Sequence, residues 1–183
     1  MNKTILILLF FVFSLFSFSQ TTKTIVDLEK LSEQELGNIS QSVSQKGWVL
    51  LKDKNHNYIL NCSNKDYHLF FSIICEKATD RPGFHIEFSN NYRDGSYGGI
   101  DFLSSNDDRE VQLLLDGKSF QNPFKNYEET LFKKFTEALR NAKILTIEVY
   151  DHDDFTQELK LNRSIDFKLE NGDLIDYPVQ CNE

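Results

Sequence analysis

Apolar and polar residues alternate with a period of two over several stretches of this chain and switch to a helical spacing in two places. In the last third, Leu145, Ile147 and Val149 alternate with Thr146 and Glu148, and Leu159 and Leu161 bracket Lys160. Ile165, Phe167 and Leu169 then alternate with Asp166, Lys168 and Glu170. Each run predicts a strand with one dry face. Phe84, Ile86 and Phe88, alternating with His85 and Glu87, predict another. Trp48 to Lys52 and Tyr58 to Cys62 flank a polar loop and read as a hairpin. The segment from Leu69 to Cys75 is apolar on both alternating faces, which predicts a central strand covered on both sides. Ile100 to Leu103 and Val111 to Leu115 add two more strands, the second running into Asp116-Gly117, a tight-turn dipeptide that returns the chain through Lys118 to Phe120.

The two helical stretches carry start and stop signals. Ser32-Glu33-Gln34-Glu35 has the form of a capping box, with Leu36, Ile39 and Val43 following on one face, so a helix is expected over about 32–46, ended by Gly47. Asn126 to Glu129 caps a second, over about 127–142, whose apolar face is Leu131, Phe132, Phe135, Ala138, Leu139 and Ala142. Its acidic start and basic end suit the helix dipole. Many strands on short loops with two helices define an α+β class, and the expected architecture is an antiparallel, sandwich-like sheet with both helices packed on it.

The first 19 residues stand apart. One cation at Lys3, an apolar run from Ile5 to Phe16 and small residues at Ser17 and Ser19 make a secretory signal peptide. Residues 20–183 then form one domain, with no internal repeat or low-complexity linker. The apolar run is shorter than the roughly 20 residues of a spanning helix, so the expected product is secreted or periplasmic, without membrane insertion once the leader is removed. The chain has 20 Lys and Arg against 28 Asp and Glu, net charge −8. That surface repels phosphate backbones, which argues against nucleic acid as a partner.

Export exposes Cys62, Cys75 and Cys181 to an oxidising compartment, where an odd count leaves one thiol over. In the hairpin joining YILNC to YHLFFSIIC, Cys62 lies opposite Tyr67. Cys75 is then roughly 26 Å away at ~3.3 Å per residue, too far for a disulfide. The expected bond is therefore Cys62–Cys181, with Cys75 as a small buried hydrophobe.

Candidate chemistry is sparse. YDHDDF, Tyr150 to Phe155, has the composition of a cation site. However, Thr156 and Asn162 stand where a calcium loop of the EF-hand type needs Gly and Glu, and the stretch reads as a solvated turn. His56, His68, His85 and His152 show no zinc-binding spacing, Ser96 in DGSYGG lacks the strand-elbow-helix context of a nucleophile, and no phosphate loop is present. No cofactor and no enzymatic activity are expected. The loop SNNYRDGSYGG, Ser89 to Gly99, carries Tyr92, Arg93 and Tyr97 among glycines, the residue types enriched at interface hot spots, and is the expected binding element.

VQLLLDGKSF, a helix ending EALRNAK, ILTIEVY and SIDFKLENG follow one another between Glu110 and Gly172. This ordering resembles small periplasmic proteins of the invasion-associated locus B and VasI kinds. The resemblance implies an antiparallel β-sandwich and a non-enzymatic envelope protein. The expected function is an exported interaction module with a protein partner. A small-molecule or glycan binder using the 89–99 loop and an acidic immunity or inhibitor protein are the alternatives.

Overall fold

The computed structural model describes residues 24–37, 39–89, 99–105, 109–125, 128–153, 156 and 158–181. The fold is α+β, dominated by strands. One sheet has six: β1 (Ile25–Asp27), β2 (Trp48–Asp53), β3 (His56–Asn61), β4 (Tyr67–Ser72), β6 (Gly83–Phe88) and β7 (Ile100–Leu103), in that order, while β5 (Ile74–Cys75) lies outside it. β1 pairs parallel to β2, and the other neighbours are antiparallel. A second sheet runs β11 (Leu159–Lys168), β10 (Ile144–His152), β8 (Glu110–Leu115), β9 (Lys118–Ser119). Its β8–β9 turn is the expected Asp116-Gly117, with φ of 48° and 83°. β12 (Pro178–Val179) pairs parallel to β5 in a separate two-stranded ribbon.

The dry faces read from the sequence converge. Trp48, Leu50, Ile59, Leu69, Phe71, Phe84, Ile86 and Phe102 of the larger sheet share one buried cluster with Leu113, Leu145, Ile147, Val149, Ile165 and Phe167 of the smaller. Phe132, Phe135 and Leu139 of the long helix join the same cluster. That helix spans Glu129–Leu139, within the expected range, and its buried face is the expected one. The other face of the larger sheet has a second core, in which Val49, Leu51 and Leu60 pack with Val26, Val43, Leu31 and Ile39 of the N-terminal segment. Behind these two cores stands the two-sided apolar character of β2.

Three expectations are corrected. The helix of about 32–46 is two short ones, α1 (Glu33–Gly37) and α2 (Ile39–Ser42), followed by irregular chain; α3 is then Glu129–Leu139. The capping box forms, with Ser32 N donating to Glu35 Oε2 at 2.9 Å and Glu35 N to Ser32 Oγ at 3.4 Å. Gly37 and the serines after it cannot sustain the helix, and Ser42 Oγ donates to Ile39 O at 2.9 Å, a local bond that competes with helical pairing. YDHDDF is also less of a turn than expected: β10 continues through Tyr150 and Asp151 to His152, paired with Leu159 to Leu161 of β11. Phe155 lies outside the described residues.

The cysteine pairing is the third. The bond is Cys75–Cys181, with Cα atoms 5.4 Å apart, not Cys62–Cys181. The expectation extended β4 straight to Cys75, whereas β4 ends at Ser72 and the chain leaves the sheet to form β5 against the C-terminal tail. Cys75 and Cys181 thus occupy neighbouring parallel strands or their immediate extension, and Glu76 N donates to Val179 O at 2.8 Å beside them. Cys62 is a free thiol, 1% exposed, inside the second core. Burial pushes its pKa up to about 12, so little reactive thiolate exists.

Between the sheets a seam of polar contacts binds the free margin of β11. Lys168 N donates to Ser63 Oγ at 2.7 Å, Asn61 Nδ2 to Lys168 O at 2.8 Å, and Asn64 Nδ2 to Asp166 O at 3.2 Å. Just beyond, Trp48 N donates to Glu170 O at 3.0 Å. Gly47 permits this approach, since a Cβ there would lie 2.2 Å from the Glu170 main chain.

Non-reducing peptide mapping is expected to yield a Cys75–Cys181 peptide and an unmodified Cys62 that alkylates only after unfolding. Cys75→Ser should lower stability by up to about 5 kcal/mol in denaturant titration, as the entropy of closing a loop of 106 residues implies. A Cys62-containing disulfide would refute the pairing.

Candidate functional site

The β6–β7 connection, the start of β8 and the β10–β11 connection come together, and there the apolar core gives way to charge. Arg163 occupies the position two residues before Ile165 on the dry face of β11. Its Nη1 donates to Asp101 Oδ2 at 2.6 Å and to Tyr67 Oη at 3.0 Å, and its Nη2 to Asp101 Oδ1 at 3.3 Å. The guanidinium also lies 5.9 Å from the centroid of the Tyr67 ring. Tyr67 precedes Leu69 and Phe71 on the inner face of β4 and packs its ring 5.7 Å from that of Phe88.

Two irregularities build this group. The β6–β7 register shifts between Ile86 and Glu87, which pair with Phe102 and Ile100 and leave Asp101 as the extra residue of a bulge. A bulge redirects side chains that strict alternation would send outward; the Asp101 side chain is 8% exposed. The β10–β11 register shifts next to Arg163, so that Val149 pairs with Arg163 and Tyr150 with Leu161. Asn162, the residue skipped, donates to Asp151. Arg109 closes the arrangement, 3.8 Å from Asp101 and 3.7 Å from Asp151.

Two guanidiniums and two carboxylates balance in charge. Among the described residues, Arg163 Nε and Arg109 Nη1 are buried without a hydrogen-bond acceptor. This is an ion-paired rim that joins β4, β7 and β11, and Phe88, Ile100, Leu159 and Leu161 are exposed on β6, β7 and β11. Ser89 and Gly99, the described ends of the connection carrying Tyr92, Arg93 and Tyr97, belong to this end; those three residues lie outside the described residues.

The periodicity itself held a signal for Arg163: the alternation Phe167, Ile165 continues to an arginine on the dry side, which requires a buried counter-ion. Asp101 had no such signal, because its placement depends on the bulge.

The remaining titratable groups are dispersed. Among the described residues no three His, Cys, Asp or Glu side chains converge to hold a metal ion. His85 stacks on Phe70 at 4.6 Å and lies 3.4 Å from Glu87. His68, paired across the sheet with Glu87, is held below its ordinary pKa by burial, with the Glu87 charge opposing. Asp153 of the acidic stretch receives Thr156 N at 2.9 Å and Lys160 Nζ at 2.5 Å, ordinary strand-end contacts. Comparison with protein-family models, curated proteins and solved structures finds no match to this chain.

Breaking the rim should show as stability. Asp101→Asn leaves a guanidinium under-neutralised, and because Arg163 retains 22% exposure the expected loss is about 2–3 kcal/mol, below the range for fully buried pairs. The double variant Asp101→Leu with Arg163→Met should recover much of it. A change under about 0.5 kcal/mol for Asp101→Asn in urea unfolding would remove the rim's structural role.

His68 gives a pH dependence. Its folded pKa is depressed from 6.5, so the unfolded chain binds the proton more readily, and stability present above about pH 6.5 is lost as pH falls through the folded value. His68→Gln should flatten the difference in denaturation midpoint between neutral and mildly acidic buffer. An unchanged slope would assign the dependence to other groups.

Proposed function

We propose that this chain is an exported, non-enzymatic interaction module of the β-sandwich kind, meeting a protein partner at the loop-bearing end. The observation that carries the reading is that Phe88, Ile100, Leu159 and Leu161 are exposed on the strands that bear the interacting Tyr67, Asp101, Arg163 and Arg109 or end beside them. Apolar residues fixed around a rigid polar centre are what a partner can desolvate at low entropic cost. The adjoining loop adds Tyr92, Arg93 and Tyr97, residue types that dominate binding energy at interfaces.

The two larger sheets share one core, as the halves of a sandwich do, and the order of residues 110–172 resembles that of small envelope sandwich proteins. The leader-like N-terminus and the Cys75–Cys181 bond support an oxidising destination. Among the described residues no helix is long and apolar enough to cross a membrane. An excess of acidic groups favours a partner with a basic surface.

A photo-crosslinking amino acid placed at Ile100 or Leu161, in the cell that makes the protein, should yield one discrete protein adduct in the extracytoplasmic fraction. The same probe at Lys54, in the β2–β3 turn, should not. Identical adducts from both places, or a chain retained in the cytosol with residues 1–19 attached, would overturn the proposal.

A further inference from the structure

The register shift in β11 does more than place Arg163. Val149 pairs with Arg163 but Tyr150 with Leu161, so beyond the shift the odd-numbered residues of β11 change face. Leu161 follows Tyr150, and Leu159 follows His152, to the outer face of the smaller sheet, where the two leucines are 52% and 49% exposed. Strict alternation would have buried them with Ile165 and Phe167.

β11 is the last strand of its sheet, and only part of its free margin is closed. At Asp166 and Lys168 the side chains of Asn61, Ser63 and Asn64 occupy the main-chain groups. From Leu159 to Asn162 every residue is exposed, and among the described residues none hydrogen-bonds to that margin. Asp153 N donates to Glu158 O at 2.9 Å, which sets the alternation: Lys160 turns its main chain toward β10, while the N–H and C=O groups of Leu159 and Leu161 turn outward.

An open edge with exposed apolar side chains is a template for another strand. Leu159-Lys160-Leu161 is self-complementary under a two-fold axis. Antiparallel pairing about Lys160 sets Leu159 of each copy beside Leu161 of the other on one face, and their outward main-chain groups form about four hydrogen bonds. A slip of one residue would set leucine against lysine and misalign those groups. Lysine on an edge ordinarily discourages pairing. Here Lys160 Nζ lies 2.5 Å from Asp153 Oδ2, and Asp151 is its pair on β10, so the charges that meet at the axis are already matched.

We propose that two copies of this chain associate by pairing β11 with β11 across this edge, which joins their smaller sheets into one. The proposal rests on reading the loop-bearing end as a contact surface; it assigns β11 to the second copy and leaves Phe88 and Ile100 of β6 and β7 to the protein partner.

The test is the oligomeric state of the purified, folded and oxidised protein. Sedimentation should show a monomer–dimer equilibrium with a Kd of about 0.1 mM, as suits a small interface. Because each copy has a net charge of −8, the dimer should tighten as salt is raised. Leu159→Glu and Leu161→Glu should each weaken it about tenfold or more at an unchanged thermal midpoint, since both side chains are exposed in the monomer. Engineered thiols read the register, with Cys62 buried and silent. Lys160→Cys should form a disulfide with its own copy, because the axis sets the two Cα atoms about 4.5 Å apart. Leu161→Cys should fail to do so alone but couple to Leu159→Cys when the two are mixed. Three results would overturn the proposal: a protein monomeric at about 1 mM at every salt concentration, a dimer indifferent to both glutamate variants, or Leu161→Cys pairing with itself while Lys160→Cys does not. A monomer would leave partner capture at Ile100 to be judged on its own, and a monomer whose Leu161 probe captures a different protein would give this edge to a foreign strand instead.

Discussion

Phe124 stands in the midst of Phe71, Phe84, Phe132 and Phe135, and those ring contacts couple the larger sheet to α3 through the chain that precedes the helix. Phe71 and Phe84 belong to the larger sheet, Phe132 and Phe135 to α3, and Phe124 to the irregular chain between β9 and the helix. Edge-to-face pairs of this kind contribute about 0.5–1.5 kcal/mol each beyond the area they bury. Their directionality fixes how α3 lies on the sheet, which area burial alone does not.

Around that cluster the remaining constraints are polar and lie at the margins. At one side the Asn61, Ser63 and Asn64 side chains occupy main-chain groups of β11 that an unpaired edge would offer to another chain. At the loop-bearing end, Arg163 and Asp101 close the space between the sheets where the apolar residues run out. The larger sheet is thereby tied to β11 of the smaller along one margin, from Asp101 and Tyr67 to Asn61, and the second core beneath the N-terminal segment covers part of its outer face.

The physical origin of each feature decides how far the sequence discloses it. The buried face of α3 and the dry faces of β10 and of β11 from Ile165 onward follow from period alone, and Phe135, Ile147 and Phe167 sit where that period puts them, whereas Leu159 and Leu161, read as a dry face, are exposed beyond the register shift. Asp116-Gly117 is legible because its positive φ angles restrict the residues that tolerate them. Asp101 and Cys75 are not legible: a bulge turns one inward and a departure from the sheet after Ser72 carries the other to the tail, and both depend on distant pairing rather than local composition. Of the candidate site, Arg163 was half visible as a charge on a dry face, and the 89–99 loop was visible by composition, but nothing local links the two.

The order of the cysteines along the chain sets a requirement on how the protein matures. Ribosomal synthesis makes Cys62 and Cys75 well before Cys181, so an oxidant acting on each thiol as it emerges would join the first two. The native fold instead hides Cys62 among Val49, Leu51 and Leu60 and reserves Cys75 for the last of the three. Covalent closure of the native pair therefore has to wait for Cys181, which the parallel pairing of β12 with β5 brings beside Cys75.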